Sequence, residues 1–138
     1  MPEQIVVGSL ESPIGTLWTA CTERGVCRVI FPCETETKSL ERWISRHMPA
    51  ADRTASSPLL EQTCRQLCEY FAGTRHDFTL PLDLRGNRFQ QQVWAALSRI
   101  PYGQTLAYGE VARAADAPHA ARAVGAACGA NPVPILVP

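Results

Sequence analysis

The order of the apolar patterns sets the tightest limit on what this chain can become. Residues 4–31 read as strands, whereas from Asn87 to Cys128 the apolar residues keep helical spacing, with a break at Arg85-Gly86-Asn87. That order predicts an α/β protein of two lobes. Residues 1–84 form a small mixed sheet with one or two helices, and residues 85–138 form a helical lobe. A chain of 138 residues suits one domain or two small lobes.

Local signals fill in this outline. Residues 4–10 hold Ile5, Val6 and Val7. Residues 16–21 and 26–31 flank Thr22-Glu23-Arg24-Gly25, a hairpin loop with glycine where a positive φ is expected. Leu40, Trp43, Ile44 and His47 fall at helical spacing, and residues 49–58 read as a loop. Ser57-Pro58 predicts a helix start, with Leu60, Cys64, Leu67 and Phe71 on its buried face and Gly73 at its end. Residues 78–84 alternate like a strand that Pro81 confines to an edge. Asn87 with Gln90 predicts a capping box, and the helix it opens should bury Phe89, Val93, Leu97 and Ile100 before Pro101 stops it. Trp94 lies beside that stripe and reads as packing. Short helices over 106–115 and 118–128, joined by a turn at Asp116-Ala117, have helix-turn-helix spacing.

Composition narrows the class. Hydrophobic content of 46% and charged content of 19% are globular values, which excludes disorder. No stretch approaches the ~20 apolar residues of a membrane span, and the start lacks the basic and apolar regions of a signal peptide, so a cytoplasmic protein is expected; a monomer is expected as well. Six cysteines then read as reduced thiols rather than a disulfide scaffold. Formal net charge is zero, but residues 1–83 carry 8 basic and 11 acidic side chains, whereas 84–138 carry 5 and 2. A polyanion would therefore meet the C-terminal lobe.

The second helix of the pair is built from small residues. Ala120, Ala121, Ala123, Gly125, Ala126, Ala127 and Gly129 leave Arg122 as its one long charged side chain. Such a helix can pack tightly on another helix, or it can bring its backbone close to a nucleic acid and send one arginine into the duplex.

Three segments together resemble the O6-alkylguanine–DNA alkyltransferases: Ile100-Pro-Tyr-Gly-Gln-Thr-Leu-Ala-Tyr-Gly-Glu110, Ala120-Ala-Arg-Ala-Val-Gly125 and Asn131-Pro-Val-Pro-Ile-Leu-Val-Pro138. Ser12-Pro-Ile-Gly15, Tyr70-Phe-Ala-Gly73, Phe89-Gln and Val93-Trp94 extend the likeness over most of the chain. The resemblance implies a ribonuclease H-like N-terminal lobe and a winged-helix, helix-turn-helix lobe that docks on double-stranded DNA containing O6-alkylguanine. It implies that the damaged guanine is flipped out, because its alkylated oxygen cannot be reached inside the stack. It matches Arg122 to the arginine that fills the gap, and Ala121 and Gly125 to small positions facing the groove. Tyr108 matches the tyrosine that helps rotate the nucleotide and protonates the departing guanine, and Asn131 the asparagine that supports the active-site turn. The alkyl group passes once to a cysteine, with no cofactor.

The family's acceptor lies in Pro-Cys-His-Arg, and Pro138 matches that proline, so the cysteine would come next and the sequence reads as a piece of a longer protein. Cys128 lies on the recognition helix and reads as a small buried residue. Cys21 and Cys27 stand near positions where some relatives hold zinc. Cys33 and His76 do not fall on that pattern, so no metal is expected. Cys64 and Cys68 read as core. The rival function is a non-enzymatic alkyltransferase-like protein that flags alkylated DNA and carries tryptophan in place of the acceptor. A transcription factor fits less well, because the recognition helix has few side chains that could read base edges.

Overall fold

The computed structural model describes residues 3–32, 36–101, 103–104, 107–115 and 120–138, without the side chains of residues 36, 37, 108 and 109. The expectations for Cys33 and for the turn at Asp116-Ala117 lie outside the described residues. The chain divides into two compact units, Met1–Leu84 and Arg85–Pro138.

The first unit is built on a four-stranded sheet. β1 (Gln4–Ser12), β2 (Gly15–Thr22) and β3 (Val26–Ile30) run antiparallel in sequence, and β4 (Asp52–Thr54) adds to β1 in parallel, giving the order β3-β2-β1-β4. Successive strand residues face opposite sides, so each side takes its own helix. α1 (Glu36–His47) packs Leu40 and Ile44 over Ile5, Ala20, Cys27 and Ile30. On the other side, α2 (Pro58–Phe71) lies so close that a Cβ on Gly8 would sit 2.9 Å from Leu60 Cδ2. The result is a mixed α/β unit with the sheet between its helices.

Local chemistry starts and stops α2 as the sequence predicts. The Ser57 hydroxyl accepts the Leu60 N–H at 3.1 Å, Pro58 takes the first helical position, and Gly73 follows the last turn with φ 78°. The buried face differs from expectation. Leu60, Thr63, Gln66 and Leu67 are buried, Cys64 and Phe71 only partly so, and Cys68 is exposed. Two polar residues enter the face because each finds partners. Gln66 accepts from the Thr79 N–H at 3.0 Å and donates to its hydroxyl at 2.9 Å, while the Thr63 hydroxyl donates to the Leu59 carbonyl at 2.7 Å.

Three further expectations in this unit need correction. The stretch 49–58 contains β4, a three-residue strand with no alternation, held by the Asp52 N–H on the Glu3 carbonyl at 2.7 Å. Residues 78–84 form no full strand. They make a single parallel bridge, Leu82 to Val26, in which Val26 donates to the Pro81 carbonyl and receives Asp83, each at 2.9 Å. Pro81 has no N–H to extend it. Gly25 is needed for space rather than for a positive φ, since a Cβ there would lie 2.6 Å from the Pro81 carbonyl oxygen and the Leu82 backbone.

The second unit contains α3 (Arg88–Leu97), α4 (Tyr108–Ala114) and α5 (Ala121–Gly129), which pack on one another and lead into the segment 131–138. The capping box forms as expected: Gln90 N–H to Asn87 Oδ1 at 2.8 Å, and Asn87 N–H to Gln90 Oε1 at 2.9 Å. α3 buries Val93, Trp94, Ala96 and Leu97, whereas Phe89 and Ile100 are only half-buried. The helix is therefore turned so that Trp94 faces the core. Among the described residues, no helix is long and apolar enough to cross a membrane.

Candidate nucleic-acid interface

α5 is the element on which the site depends. Its alanines favour helix strongly, which compensates for an N-cap, Ala120, that has no side-chain hydrogen bond. It buries Val124 and Ala127 and exposes Ala121, Arg122, Ala123 and Ala126, with Gly125 half-buried. The outward face is thus a low surface of methyl groups and backbone from which one guanidinium projects. Arg122 makes no hydrogen bond or ion pair among the described residues. Among the described residues of the same unit, Arg88, Arg99 and Arg113 are exposed, as is the acidic side chain of Glu110. The charge asymmetry read from the sequence therefore lies at the surface.

α4 starts at Tyr108, with Glu110 reaching back to accept the Ala107 N–H at 3.3 Å. Tyr108 occupies the first position of α4, and its side chain lies outside the described residues.

Asn131 fastens the segment after α5. Its Oδ1 accepts the Val133 N–H at 2.9 Å and its Nδ2 donates to the Val137 carbonyl at 2.8 Å, while Val137 N–H donates to Val133 at 3.0 Å. These bonds fold residues 131–137 into a closed turn that seats Val133 and Val137 in the interior. Within it Ile135 has φ 77°, an uncommon conformation for a β-branched residue.

The thiols do not form a reactive group. Cys21, Cys27, Cys64, Cys68 and Cys128 are thiols rather than disulfides. Burial pushes the Cys21 thiol up to about 11, and burial likewise raises Cys64 and Cys128. A thiol nucleophile needs the opposite shift. Cys128 is half-buried on α5, and Cys68 is exposed rather than core. Cys21 meets the Thr63 hydroxyl at 3.7 Å and Cys27 donates to the Ala20 carbonyl at 3.4 Å. Among the described residues, no three His, Cys, Asp or Glu side chains group closely enough to hold a metal.

One contact escaped sequence reasoning. The Trp94 indole N–H donates to the Ala127 carbonyl of α5 at 2.9 Å, in the interior and across 33 residues of sequence. Packing was expected of Trp94 and it is buried. The signal for something more is that a buried indole N–H must find an acceptor.

Comparison with known proteins places both units. Residues 5–84 match the family described as 6-O-methylguanine DNA methyltransferase, ribonuclease-like domain, and residues 88–138 match its DNA binding domain. The constitutive methylated-DNA–protein-cysteine methyltransferase of Bacillus subtilis is 40% identical over 129 residues, covering 93% of this chain and 74% of that protein. The crystal structure of the Mycobacterium tuberculosis O6-methylguanine methyltransferase superposes with a TM-score of 0.80 at 38% identity, over 98% of this chain and 76% of that one. The same enzyme in complex with DNA gives 0.77 at 38% identity, over 96% and 74%. The chain belongs to the 6-O-methylguanine DNA methyltransferase family.

Proposed function

We propose that this chain serves DNA repair, by single transfer of a methyl or larger alkyl group from O6 of guanine in duplex DNA to a cysteine of the protein. The observation that carries this reading is α5, which exposes Arg122 among small residues and runs straight into the turn fastened by Asn131. Ala121 and Gly125 let the helix approach a groove without a bulky side chain in the way. Arg122 is long, planar and permanently charged, so it can occupy the space a flipped base vacates and pair with the stack around it. Tyr108, at the start of α4, donates a proton to the departing guanine, which would otherwise leave as an anion. Asn131 holds the turn that leads to the acceptor. In the transfer itself the thiolate sulfur bonds to the alkyl carbon as the carbon–O6 bond breaks, and no cofactor takes part.

The acceptor is the cysteine that the family places after the position matching Pro138, which is the last residue of this sequence. Burial, full at Cys21 and partial at Cys64 and Cys128, raises all three thiols away from the thiolate form, so they do not substitute for it. The protein works as a cytoplasmic monomer, on the lobes 1–84 and 85–138, with double-stranded DNA containing O6-alkylguanine as its partner.

Intact mass of the natural gene product, before and after exposure to duplex DNA containing O6-methylguanine, tests the reading. A single added methyl supports transfer. Tight binding to the damaged duplex with no added mass would replace it with a damage-flagging protein. Arg122→Ala should lower repair by about tenfold or more while leaving thermal stability within about 0.5 kcal/mol, as for an exposed residue. Normal repair by that variant would remove Arg122 from the mechanism.

A further inference from the structure

We propose that Trp94 is a positioning residue for Arg122 and for the Asn131 turn, acting through the hydrogen bond from its indole to the C-terminal end of α5. The inference rests on the DNA-repair reading above.

α5 has an unusual mechanical problem. Helices normally lock their rotation and axial position by interdigitating large side chains, and α5 buries only Val124 and Ala127. A surface of methyl groups slides and turns easily against its neighbours. The same smallness that lets α5 approach DNA therefore weakens its own placement. A directional bond restores what packing lacks.

The Trp94 bond has the right position for that task. The last four carbonyls of a helix have no partner within the regular helical ladder. At the end of α5, Ala130 N–H reaches Ala126 at 3.1 Å and Ala127 at 3.2 Å, and Asn131 N–H reaches Cys128 at 3.2 Å. The shortest bond to Ala127 is the indole's, at 2.9 Å, and it comes from a different helix. Trp94 is 1% exposed, so this bond is sheltered from water and removing it would leave an interior carbonyl poorly satisfied. The ring itself is seated with little freedom: a Cβ on Gly86 would lie 2.5 Å from its Cη2 atom. A fixed ring thus fixes the helix end. Arg122 lies five residues before Ala127 on the same rigid rod, and Asn131 four residues after it, so one bond sets both.

The test separates the N–H from the bulk of the ring, in the natural gene product. Tryptophan at 94 is replaced by phenylalanine, by benzothienylalanine (the same ring shape with sulfur in place of N–H) and by 7-azatryptophan, which keeps the N–H. The readouts are the preference for O6-methylguanine duplex over undamaged duplex, followed in rapid mixing before the methyl group is transferred, and fluorescence of 2-aminopurine beside the lesion, which rises when the neighbouring base leaves the stack. Trp94→Phe and the benzothienyl variant should lose about three- to tenfold of the preference for damaged DNA, with unchanged affinity for undamaged duplex. The azatryptophan variant should restore it. A benzothienyl variant that discriminates and extrudes like the wild type overturns this inference alone, and does so even if Trp94→Phe fails to fold. A wild type that shows no preference overturns the inference together with the reading beneath it.

Discussion

The two units of this molecule solve the problem of fixing a structure by different means. The sheet unit is filled with large side chains: Ile5, Leu17, Val26, Val29, Leu40 and Leu67 are almost wholly buried. Interlocking shapes there leave few alternative arrangements. The helical unit buries Trp94 and Leu97 with Val93, Val111, Val124, Val133 and Val137, but its α5 is built almost wholly from small residues. Its placement relies on named polar fastenings: the Asn87–Gln90 box, Trp94 on Ala127, and Asn131 on Val133 and Val137. On the proposed reading, a helix that brings its backbone to DNA gives up bulk, and direction replaces volume.

Core truncation should show the contrast most strongly. Leu67→Ala, at a fully buried site between α2 and the sheet, should cost about 2–5 kcal/mol in denaturant unfolding. Ala127→Gly in α5 should cost only about 1 kcal/mol, the helix-propensity difference. Equal losses would mean that α5 is shape-locked after all.

The next effect depends on pH and is followed at Cys21 in the sheet unit. Cys21 keeps its proton to about pH 11 when folded, against an ordinary value of 9.0. Below pH 9 the thiol is protonated folded and unfolded, and its contribution is complete. Between pH 9 and 11 the unfolded chain releases a proton that the folded chain retains, so stability falls, by an amount on the order of 2–3 kcal/mol. Guanidinium midpoints of wild type and Cys21→Ala across that range would check it, and parallel curves would show that the thiol is not linked to folding.

The smallest effect compares two glycines. Gly25→Ala drives a methyl against the backbone of Pro81 and Leu82, which cannot yield, whereas Gly86→Ala meets the Trp94 ring and the Gln90 side chain. Both should lose about 1–3 kcal/mol, Gly25→Ala the more. Gly86→Ala should also weaken the preference for O6-methylguanine DNA, and Gly25→Ala should not. The reverse pattern would break the distinction between the units.

What could be read in advance follows from distance along the chain. The caps at Ser57 and Asn87 act over three residues, and both helix starts were legible. Arg122 and its small neighbours stood out by composition alone. β4 was not legible, because three residues leave no periodicity to detect, and the alternation over 78–84 overstated what is a single bridge at Leu82. The face of α2 was misread since Thr63 and Gln66 are polar, and their burial depends on acceptors and donors at Leu59 and Thr79. The Trp94 bond spans 33 residues, beyond any local pattern.

The asparagine that fastens the final turn also has an unusual chemical lifetime. Asparagine side chains age by cyclising onto the backbone nitrogen of the next residue, which needs an N–H there. Asn131 is followed by Pro132, which has none. Asn87, followed by Arg88, keeps that route open. On the proposed single transfer the protein must wait intact until its lesion appears, and the Asn131 clasp is closed to this route of ageing.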